Sequence, residues 1–313
     1  MPAIVTLTLN PTIDGSSEAE RVRPVHKVRT ANERYDPGGG GINVARVVRE
    51  LGGDALAICL AGGPTGPVLD ALLEEHAVPR RLVPIVGPTR ISLTVYERSS
   101  GQEYRFVPEG PHLSAAEVRA CLEAVAEADG AYFVASGSLP PGAPEDLLAQ
   151  VGRIAAERGA RFVLDSSGAG LKATLGRAPV HLVKPSLGEL SALLGRELRD
   201  VASQEAAAEE LVASGAAEMV AVTLGRDGAV LASRDGIVRA AAIDVPVRSA
   251  VGAGDSFLAA MVCALSQGRP PREAFLRGMA GGAAAVMTPG TELARRADVD
   301  RLYRELAASA AAG

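Results

Sequence analysis

The chain has 313 residues, of which 47% are hydrophobic and 22% charged, and it carries a net charge of −5. That balance provides a sizeable buried core and excludes a disordered chain. With no basic stripe and only 3% aromatic residues, the sequence argues against a nucleic-acid partner. We expect no membrane span either, because no apolar run reaches the roughly 18 residues that a transmembrane helix needs.

The three cysteines, Cys59, Cys121 and Cys263, lie far apart and lack metal-ligand spacing. We expect all three to be buried, reduced thiols. The first residues, MPAIVTLTLNPTID, lack the charged and long apolar regions of a secretion signal. These features, with the mildly acidic charge, predict a cytoplasmic location.

In chain order, apolar β-rich runs alternate with segments of helical periodicity. The first strand is predicted over 3–9, and a helix follows the glycines at 38–41. Further strands are predicted at 55–60, 130–136, 161–165, 181–185 and 218–225, and further helices at 65–77, 144–158, 168–176, 186–194 and 203–214. This alternation is typical of βαβ units, which form a mostly parallel sheet with helices on both faces.

Two stretches, 15–35 and 89–107, depart from this pattern because apolar and polar residues alternate without a helix between them. The second stretch predicts a hairpin that turns at 99–101. We expect both to form half-exposed strands of a small antiparallel sheet, which serves as a lid or as a dimer surface. After residue 255 the chain is predicted to be helical, with an interruption near 288–291.

The stretch VGAGDS at 251–256 places Asp255 behind glycines at the start of a predicted helix. Its carboxylate has two interpretations. It is the N-cap that satisfies free N–H groups of the helix, or it is a base that accepts a hydroxyl proton while the preceding amides stabilise a transferring phosphoryl group. This stretch alone does not decide between them.

Two further stretches place polar side chains near glycines or at a strand end. GGGGINVAR at 38–46 carries Asn43 in the first turn of a helix, where its amide can bind a sugar hydroxyl. TLNPTID at 8–14 ends a strand and presents Asp14, at the edge where parallel α/β sheets bind ligands. A flexible loop and an Asx turn, respectively, explain the same residues without a ligand.

Three later strand ends carry glycine, hydroxyl or charged residues in the segments SGSLPPG, VKPSLGEL and VTLGRDGAV, which begin at 136, 183 and 222. Each alone is a weak turn signal. The sequence lacks a Walker P-loop, a dinucleotide G-x-G-x-x-G fingerprint opening a helix, a paired-histidine zinc motif and a G-x-S-x-G elbow.

GGGGINVAR and VGAGDS, with the three strand-end segments between them in order, resemble the signatures of the ribokinase-like (PfkB) carbohydrate kinases. The resemblance runs from about residue 3 to 306. TLTLNPTID and the glycine at 40 look most like the PfkB-type 6-phosphofructokinases. The related 1-phosphofructokinases and tagatose-6-phosphate kinases, which typically carry Lys at that position, remain the alternative, and a non-catalytic sugar-phosphate or nucleotide sensor is the remote one.

The resemblance implies a ribokinase-like three-layer α/β/α sandwich, formed as one domain over 1–313. The lid strands, within about 14–35 and 89–107, are inserted in this core. The implied partners are a sugar phosphate, most simply fructose 6-phosphate in glycolysis, and ATP with Mg²⁺. A homodimer formed through the lid is implied as well.

The resemblance also implies roles for individual residues. Asp255 is the base, and the amides of Gly252, Ala253 and Gly254 form the anion hole. The sugar phosphate is expected at Asp14, Gly39, Gly40, Asn43, Arg90, Arg105, Ser138, Lys27 and Arg29. ATP is expected at Lys184, Ser186, Thr223, Gly225 and Gly228, and Glu189 is expected to hold Mg²⁺ through water.

Two positions depart from the family pattern. Ser186 stands where the family usually has Asn, so the contact with magnesium or phosphate is expected to be weaker or water-bridged. Pro289 and Glu292 differ from the pattern of the monovalent-cation loop, so K⁺ is a possible rather than a required cofactor. Neither position touches the expected base.

Overall fold

The structure, a computed structural model, describes residues 3–312 and the side chains of residues 3–308. Its strands are β1 (Ile4–Thr8), β2 (Thr12–Ala19), β3 (Ala31–Gly38), β4 (Ala55–Gly62), β5 (Arg80–Ile85), β6 (Arg90–Glu97), β7 (Gln102–Phe106), β8 (Tyr132–Ser136), β9 (Arg161–Asp165), β10 (Leu182–Val183), β11 (Met219–Thr223), β12 (Ala229–Ser233) and β13 (Gly236–Ala240). Its helices are α1 (Gly40–Glu50), α2 (Gly66–Glu75), α3 (Ala115–Glu127), α4 (Leu147–Glu157), α5 (Gly168–Thr174), α6 (Leu187–Leu194), α7 (Val201–Ala213), α8 (Ala253–Ser266), α9 (Pro271–Val286) and α10 (Arg296–Ala312).

The central sheet has the order β13-β12-β11-β10-β9-β8-β1-β4-β5. Seven strands of this sheet run parallel, namely β11, β10, β9, β8, β1, β4 and β5. Beside β11, β12 and β13 form an antiparallel edge. The five residues of β1, IVTLT, are all buried, as expected for a strand with helices on both faces. The predicted mostly parallel sheet is confirmed.

Two hydrophobic clusters lie on opposite faces of this sheet. Side chains of α1, α2, α8, α9 and α10 form one cluster, and those of α3 to α7 form the other. Neighbouring residues of β1 divide between the two, with Ile4 in the first cluster and Val5 in the second, because successive side chains of a strand point to opposite faces. The three layers are therefore helix, sheet and helix, as predicted.

A second sheet has the order β3-β2-β6-β7. β2 pairs with β3 and β6 with β7 in antiparallel fashion, which confirms the predicted hairpin. The two inner strands, β2 and β6, pair in parallel, so the sheet is mixed. The alternation of polar and apolar residues predicts that a segment is a strand and which of its faces is exposed. It does not predict that β2 of one hairpin pairs with β6 of the other, because that pairing depends on how the chain passes through the core between them. We call this sheet the lid.

One prediction for the lid is wrong. Lys27 and Arg29 were expected on lid strands, but they lie on the exposed connection between β2 and β3. Pro24 lacks an N–H for a sheet ladder, and Val25 has a positive φ of 66°, a conformation that interrupts a strand.

Some elements lie outside the predicted pattern. β5 reads RRLVPI and contains a proline, which suits its position at the edge of the sheet. α3 begins with a capping box between Ser114 and Glu117, a sequence signal that could have located it. The hairpin β12–β13 was also not predicted. The division of the chain into one domain with an inserted lid stays a prediction.

In the part of the chain that the structure describes, no helix is long and apolar enough to span a membrane. The three cysteines are free and buried, as predicted. The predicted interruption near 288–291 is also present, because α9 ends at Val286 and α10 begins at Arg296.

Candidate active site

Asp255 is the third residue of α8, and Gly252 occupies the N-cap position with a φ of 71°. The helix start has no side-chain cap, so the N-cap interpretation of Asp255 is wrong. Its Oδ2 atom instead accepts a hydrogen bond of 2.8 Å from Nδ2 of Asn43. Burial, reinforced by the nearby charge of Asp165, raises the pKa of Asp255 to about 6. A carboxylate with such a pKa is a competent base near neutral pH.

The start of α8 supplies backbone N–H groups beside this carboxylate. The first N–H groups of any helix lack intrahelical acceptors and carry the positive end of its dipole. Of the three predicted amides, that of Ala253 makes one long bond of 3.4 Å to the carbonyl of Ala250. A Cβ atom at Gly254 would lie 3.4 Å from Nζ of Lys184, so the ammonium group stands beside this helix start.

Lys184 follows β10 and is the buried cation of the site, with its side chain only 6% exposed. Its Nζ lies 3.1 Å from Oδ1 of Asp165, at the end of β9. Burial alone would lower the pKa of Lys184, but the carboxylates of Asp165, Asp255 and Glu189 together raise it above its ordinary value. The ammonium group is therefore charged at neutral pH. Asp165 was not predicted, although it ends a predicted strand like the other site residues.

Asp14 on β2 lies against the glycines that precede α1. A Cβ atom at Gly38 would lie 1.9 Å from Oδ2 of Asp14, and one at Gly40 would lie 2.2 Å from Oγ of Ser136, at the end of β8. A side chain at either position would displace the Asp14 carboxylate or the Ser136 hydroxyl, so glycine keeps both groups in place. Burial raises the pKa of Asp14 to about 6, opposed by a hydrogen bond from Thr12 and by the charges of Arg105 and Arg90.

Arg90 is the first residue of β6, and its guanidinium is held by the backbone. Nη1 donates to the carbonyl of Pro108 and Nη2 to that of Asn10, each over 2.8 Å. Nε is buried without a partner among the described residues. Nδ2 of Asn10 in turn donates to the carbonyl of Glu109 over 2.8 Å and to Oγ of Ser138 over 3.4 Å.

Asn10 also contacts the site, although the strand-end pattern predicts only Asp14 in TLNPTID. It lies two residues beyond β1 and is 4% exposed. An asparagine before proline at a strand end was the available signal. Of the other predicted cations, Arg105 is exposed on β7, and Lys27 and Arg29 have no described contact with the cleft.

Ser186 and Glu189 form a capping box at the start of α6. The N–H and Oγ of Ser186 both donate to Oε2 of Glu189 over 2.8 Å, and the N–H of Glu189 donates to Oγ of Ser186 over 3.3 Å. Ser186, which stands where the family usually has Asn, therefore orients the Glu189 carboxylate that is expected to hold Mg²⁺ through water. Nearby, the N–H of Thr223 donates to the carbonyl of Pro185 over 3.0 Å.

Gly225 and Gly228 bracket a short 3₁₀ turn that follows β11, with φ of 61° and 95°. The strand ends predicted to carry the site thus meet along one edge of the central sheet. Asp14 and Lys184 both lie close enough to Asp255 for their charges to act on it. The arrangement joins a carboxylate with a raised pKa, a buried cation and backbone amides at a helix start, which are the kinds of group that phosphoryl transfer to a hydroxyl uses.

Comparison with known proteins also points to enzymes that transfer a phosphoryl group to a hydroxyl. A model of the family described as pfkB family carbohydrate kinase matches residues 7–297. The ATP-dependent 6-phosphofructokinase isozyme 2 of Mycobacterium tuberculosis (strain CDC 1551 / Oshkosh) is 45% identical over 309 residues, which cover 98% of this chain and 90% of that protein. The Escherichia coli (strain K12) protein of the same name is 41% identical over 307 residues, or 98% and 99% of the two chains.

Solved structures of phosphofructokinase-2 from Escherichia coli have the same fold. Its complex with potassium gives a TM-score of 0.94 and its complex with fructose-6-phosphate one of 0.92, each at 40% identity over 98% of this chain and 100% of that chain. The chain therefore belongs to the pfkB family of carbohydrate kinases and has the ribokinase-like fold. It is a phosphotransferase with an alcohol acceptor.

Proposed function

We propose that the protein phosphorylates fructose 6-phosphate to fructose 1,6-bisphosphate with ATP as donor. The observation that carries the proposal is the Asp255 carboxylate, whose pKa is raised to about 6 at the start of α8. The names of the relatives at 45% and 41% identity support the choice of substrate. Glycine at position 40 supports it as well, because the alternative kinases typically carry lysine there, and a Cβ atom would lie only 3.0 Å from the backbone carbon and Cβ of Ser136.

In the proposed reaction Asp255 accepts the proton of the acceptor hydroxyl. The hydroxyl oxygen forms a bond to the γ-phosphorus of ATP as the bond to the β,γ-bridging oxygen breaks, which releases ADP. The N–H groups of Gly252, Ala253 and Gly254 stabilise the charge on the transferring group, as does the Lys184 ammonium. The bond from Asn43 holds Oδ2 of Asp255 and leaves Oδ1 for the hydroxyl.

We propose that the sugar lies between the lid and the start of α1. Asp14 and the backbone at Gly39 bind its hydroxyls, and the carboxamide oxygen of Asn43 takes part. Its phosphate lies at Gly40, Arg90, Arg105 and Ser138. Each Nη atom of Arg90 carries two N–H groups, of which one donates to a backbone carbonyl. The guanidinium is thereby fixed, and the second N–H of each Nη remains for the phosphate.

For ATP we propose contacts with Lys184, Ser186, Thr223, Gly225 and Gly228. Among the described residues no group of three or more His, Cys, Asp or Glu side chains is arranged to hold a metal ion. Mg²⁺ usually keeps several waters and binds one or two carboxylates plus the phosphates of the substrate. The Glu189 carboxylate fits such a water-mediated role, in which the ion neutralises phosphate charge. A K⁺ site in the loop after α9 stays a proposal, supported by the potassium complex of the relative.

The test is ADP release from Mg-ATP by the purified protein with fructose 6-phosphate, fructose 1-phosphate, tagatose 6-phosphate and free fructose. We expect kcat/KM for fructose 6-phosphate to exceed the others by at least about tenfold, which corresponds to roughly 1.4 kcal/mol of transition-state discrimination. A preference for another phosphosugar would keep the mechanism and overturn the substrate. Binding of both ligands without turnover would favour the sensor.

Replacing Arg90 by alanine is expected to raise KM for fructose 6-phosphate by about 10- to 100-fold, because a hydrogen bond to a charged group contributes roughly 1.5–3 kcal/mol. KM for ATP should change less than about threefold, since Arg90 lies on the sugar side of the site. Steady-state kinetics with each substrate varied in turn measures both. Arg153→Ala, an exposed arginine of α4, is the control, and equal losses for both substrates would contradict the assignment.

We also propose that the lid forms a homodimer interface. Tyr35, Gly15, Leu93 and Phe106 are register partners across β3, β2, β6 and β7, so they share one face of the lid. The three large side chains are 49%, 47% and 58% exposed. An exposed apolar sheet face of this kind is typical of an interaction site, whereas Asp14 lies on the opposite face, toward the cleft.

Leu93→Asp is expected to raise the dissociation constant of the dimer by at least about 30-fold. Replacing a buried side chain at the centre of an interface typically costs roughly 2 kcal/mol or more of binding free energy. Sedimentation velocity across a concentration series measures it. Val86→Asp, at a valine that is 90% exposed on the connection between β5 and β6, is the control. The Escherichia coli relative has a tetrameric inhibited form, so the series must resolve tetramers. A dimer unaffected by Leu93→Asp would exclude this face.

We propose a cytoplasmic location because the cysteines form no disulfide bonds among the described residues. Cys59, Cys121 and Cys263 are free and buried, which suits a reducing compartment.

A further inference from the structure

The segment that joins α9 to α10 contacts both halves of the proposed site. Residues 288–293, which we call the joining loop, reach the start of α8 through Leu293. A Cβ atom at Gly252 would lie 2.4 Å from Cδ2 of Leu293, so the leucine packs directly on the N-cap glycine. On the other side, a Cβ atom at Gly290 would lie 3.3 Å from Oγ of Ser16, on the lid.

Two polar contacts fasten the joining loop to β3 of the lid. Oγ1 of Thr291 donates to Oδ2 of Asp36 over 2.5 Å, and Nη1 of Arg34 lies 2.6 Å from Oε1 of Glu292. Further out, a cavity of about 520 Å³ lies between the lid and this loop. The contacts at Asp36 and Arg34 therefore join the lid directly to the joining loop.

Asp36 is only 1% exposed and collects donors from several elements. Nε of Arg34 lies 2.9 Å from Oδ2, Nη2 of Arg46 on α1 lies 3.2 Å from Oδ1, and Nε2 of His76 after α2 lies 3.1 Å from Oδ1. Burial alone would raise the pKa of Asp36, but the Thr291 bond and the arginines lower it. The group is a charged carboxylate held by the core, the lid and the joining loop.

Asp36 also lies where the lid meets the core. Along β3, residues 31–35 are exposed and 36–38 are buried. Asp36 is the register partner of Asp14, and Nη1 of Arg46 donates to the carbonyl of Pro37 over 3.0 Å. The cluster thereby fixes the Gly38 backbone against which the Asp14 carboxylate lies.

From these contacts we propose that Asp36 and Thr291 are positioning residues that couple the sugar side of the site to the anion hole. Ordering of the lid around a sugar phosphate is passed through Asp36, Thr291 and Leu293 to the backbone at Gly252, and nucleotide binding at α8 is passed back. The inference rests on the proposed function for the identity of the two ligands. A purely stabilising role is a poor explanation, because buried ion clusters add little stability over apolar packing.

The first test measures binding of fructose 6-phosphate by calorimetry with and without a non-hydrolysable ATP analogue. For the wild-type protein we expect the analogue to change the affinity by about fivefold or more, the usual size of site-to-site coupling. Thr291→Val should reduce that factor to about two or less, and Thr291→Ser should restore it. Thr174→Val is the matched control, since Thr174 is a fully buried threonine of α5 that bonds within its own helix.

In the Asp36→Ala background, Thr291→Val should add no further loss, because the acceptor of the Thr291 hydrogen bond is already absent. Thr291→Val with the wild-type coupling factor would overturn the inference, as would a wild-type protein that binds both ligands without coupling. A wild-type protein that binds neither ligand would contradict the proposed function instead.

A second test needs no ligand. In hydrogen–deuterium exchange of the free protein, Thr291→Val should raise exchange about tenfold, relative to Thr174→Val, in peptides covering both 31–38 and 250–256. The expected change follows from the loss of a charged hydrogen bond, worth roughly 1.5 kcal/mol. Faster exchange confined to the joining loop would overturn the coupling even if the substrate assignment stood.

Discussion

Replacing Asp255 by asparagine is expected to lower kcat on the order of 10²–10⁴-fold, the usual contribution of a positioned base. The asparagine keeps an oxygen for the bond from Asn43, which spans 2.8 Å in the wild type. The site should therefore keep its shape and still bind fructose 6-phosphate and ATP within about threefold, as measured by calorimetry. Asp235→Asn, in the exposed turn between β12 and β13, is the control. Retained turnover would remove Asp255 from the mechanism.

The pH profile checks the same assignment. A base with a pKa of about 6 is active when deprotonated, so wild-type kcat/KM should rise through pH 6 and then level off. Asp14 also has a pKa raised to about 6, so the wild-type curve alone does not assign the limb. The residual activity of Asp255→Asn should rise much less through pH 6. An unchanged rise would show that it comes from titration of Asp14 or of another group.

The raised pKa of Asp255 also predicts that the Asp255→Asn variant is more stable than the wild type at pH 7. The folded state favours the protonated carboxyl of Asp255, so its contribution is fully present below the unfolded value of 3.8 and is lost as pH rises through about 6. Asp255→Asn removes this loss and should melt above the wild type at pH 7 but not at pH 4. Thermal unfolding at both values measures it.

Lys184→Met is expected to damage both stability and activity. It leaves Asp165 buried without the ammonium that lies 3.1 Å away, and breaking a buried pair from one side costs about 3–5 kcal/mol of unfolding free energy. It also removes a cation from the proposed phosphate site, which should lower kcat by about 10²–10³-fold, as for the loss of one transition-state donor. Denaturant unfolding and steady-state kinetics measure the two effects.

The double variant Lys184→Met with Asp165→Asn separates these effects. Removing both charges takes away the unpaired carboxylate, so most of the lost stability should return. Turnover should stay low, because the cation is still absent. Recovery of turnover together with stability would show that Lys184 acts only as the partner of Asp165.

The sequence by itself determined the layers of the fold and the type of chemistry. Hydrophobic periodicity over VTLTL and the later apolar runs is a local property, because side-chain spacing follows directly from strand and helix geometry. The glycines before α1 and α8 were readable for the same reason, since only glycine tolerates such close backbone approach. Asp14, Lys184 and Asp255 could be singled out because each lies beside such a local signal.

Only the tertiary structure decided which of these residues touch. Asn43 and Asp255 are 212 positions apart and Asp36 and Thr291 are 255 apart, and no local pattern encodes contacts between such distant segments. The parallel pairing of β2 with β6 was likewise set by how the chain passes through the core. The raised pKa of Asp255 depends on burial by several elements at once, so the sequence supplied the carboxylate and the packing of the fold raised its pKa.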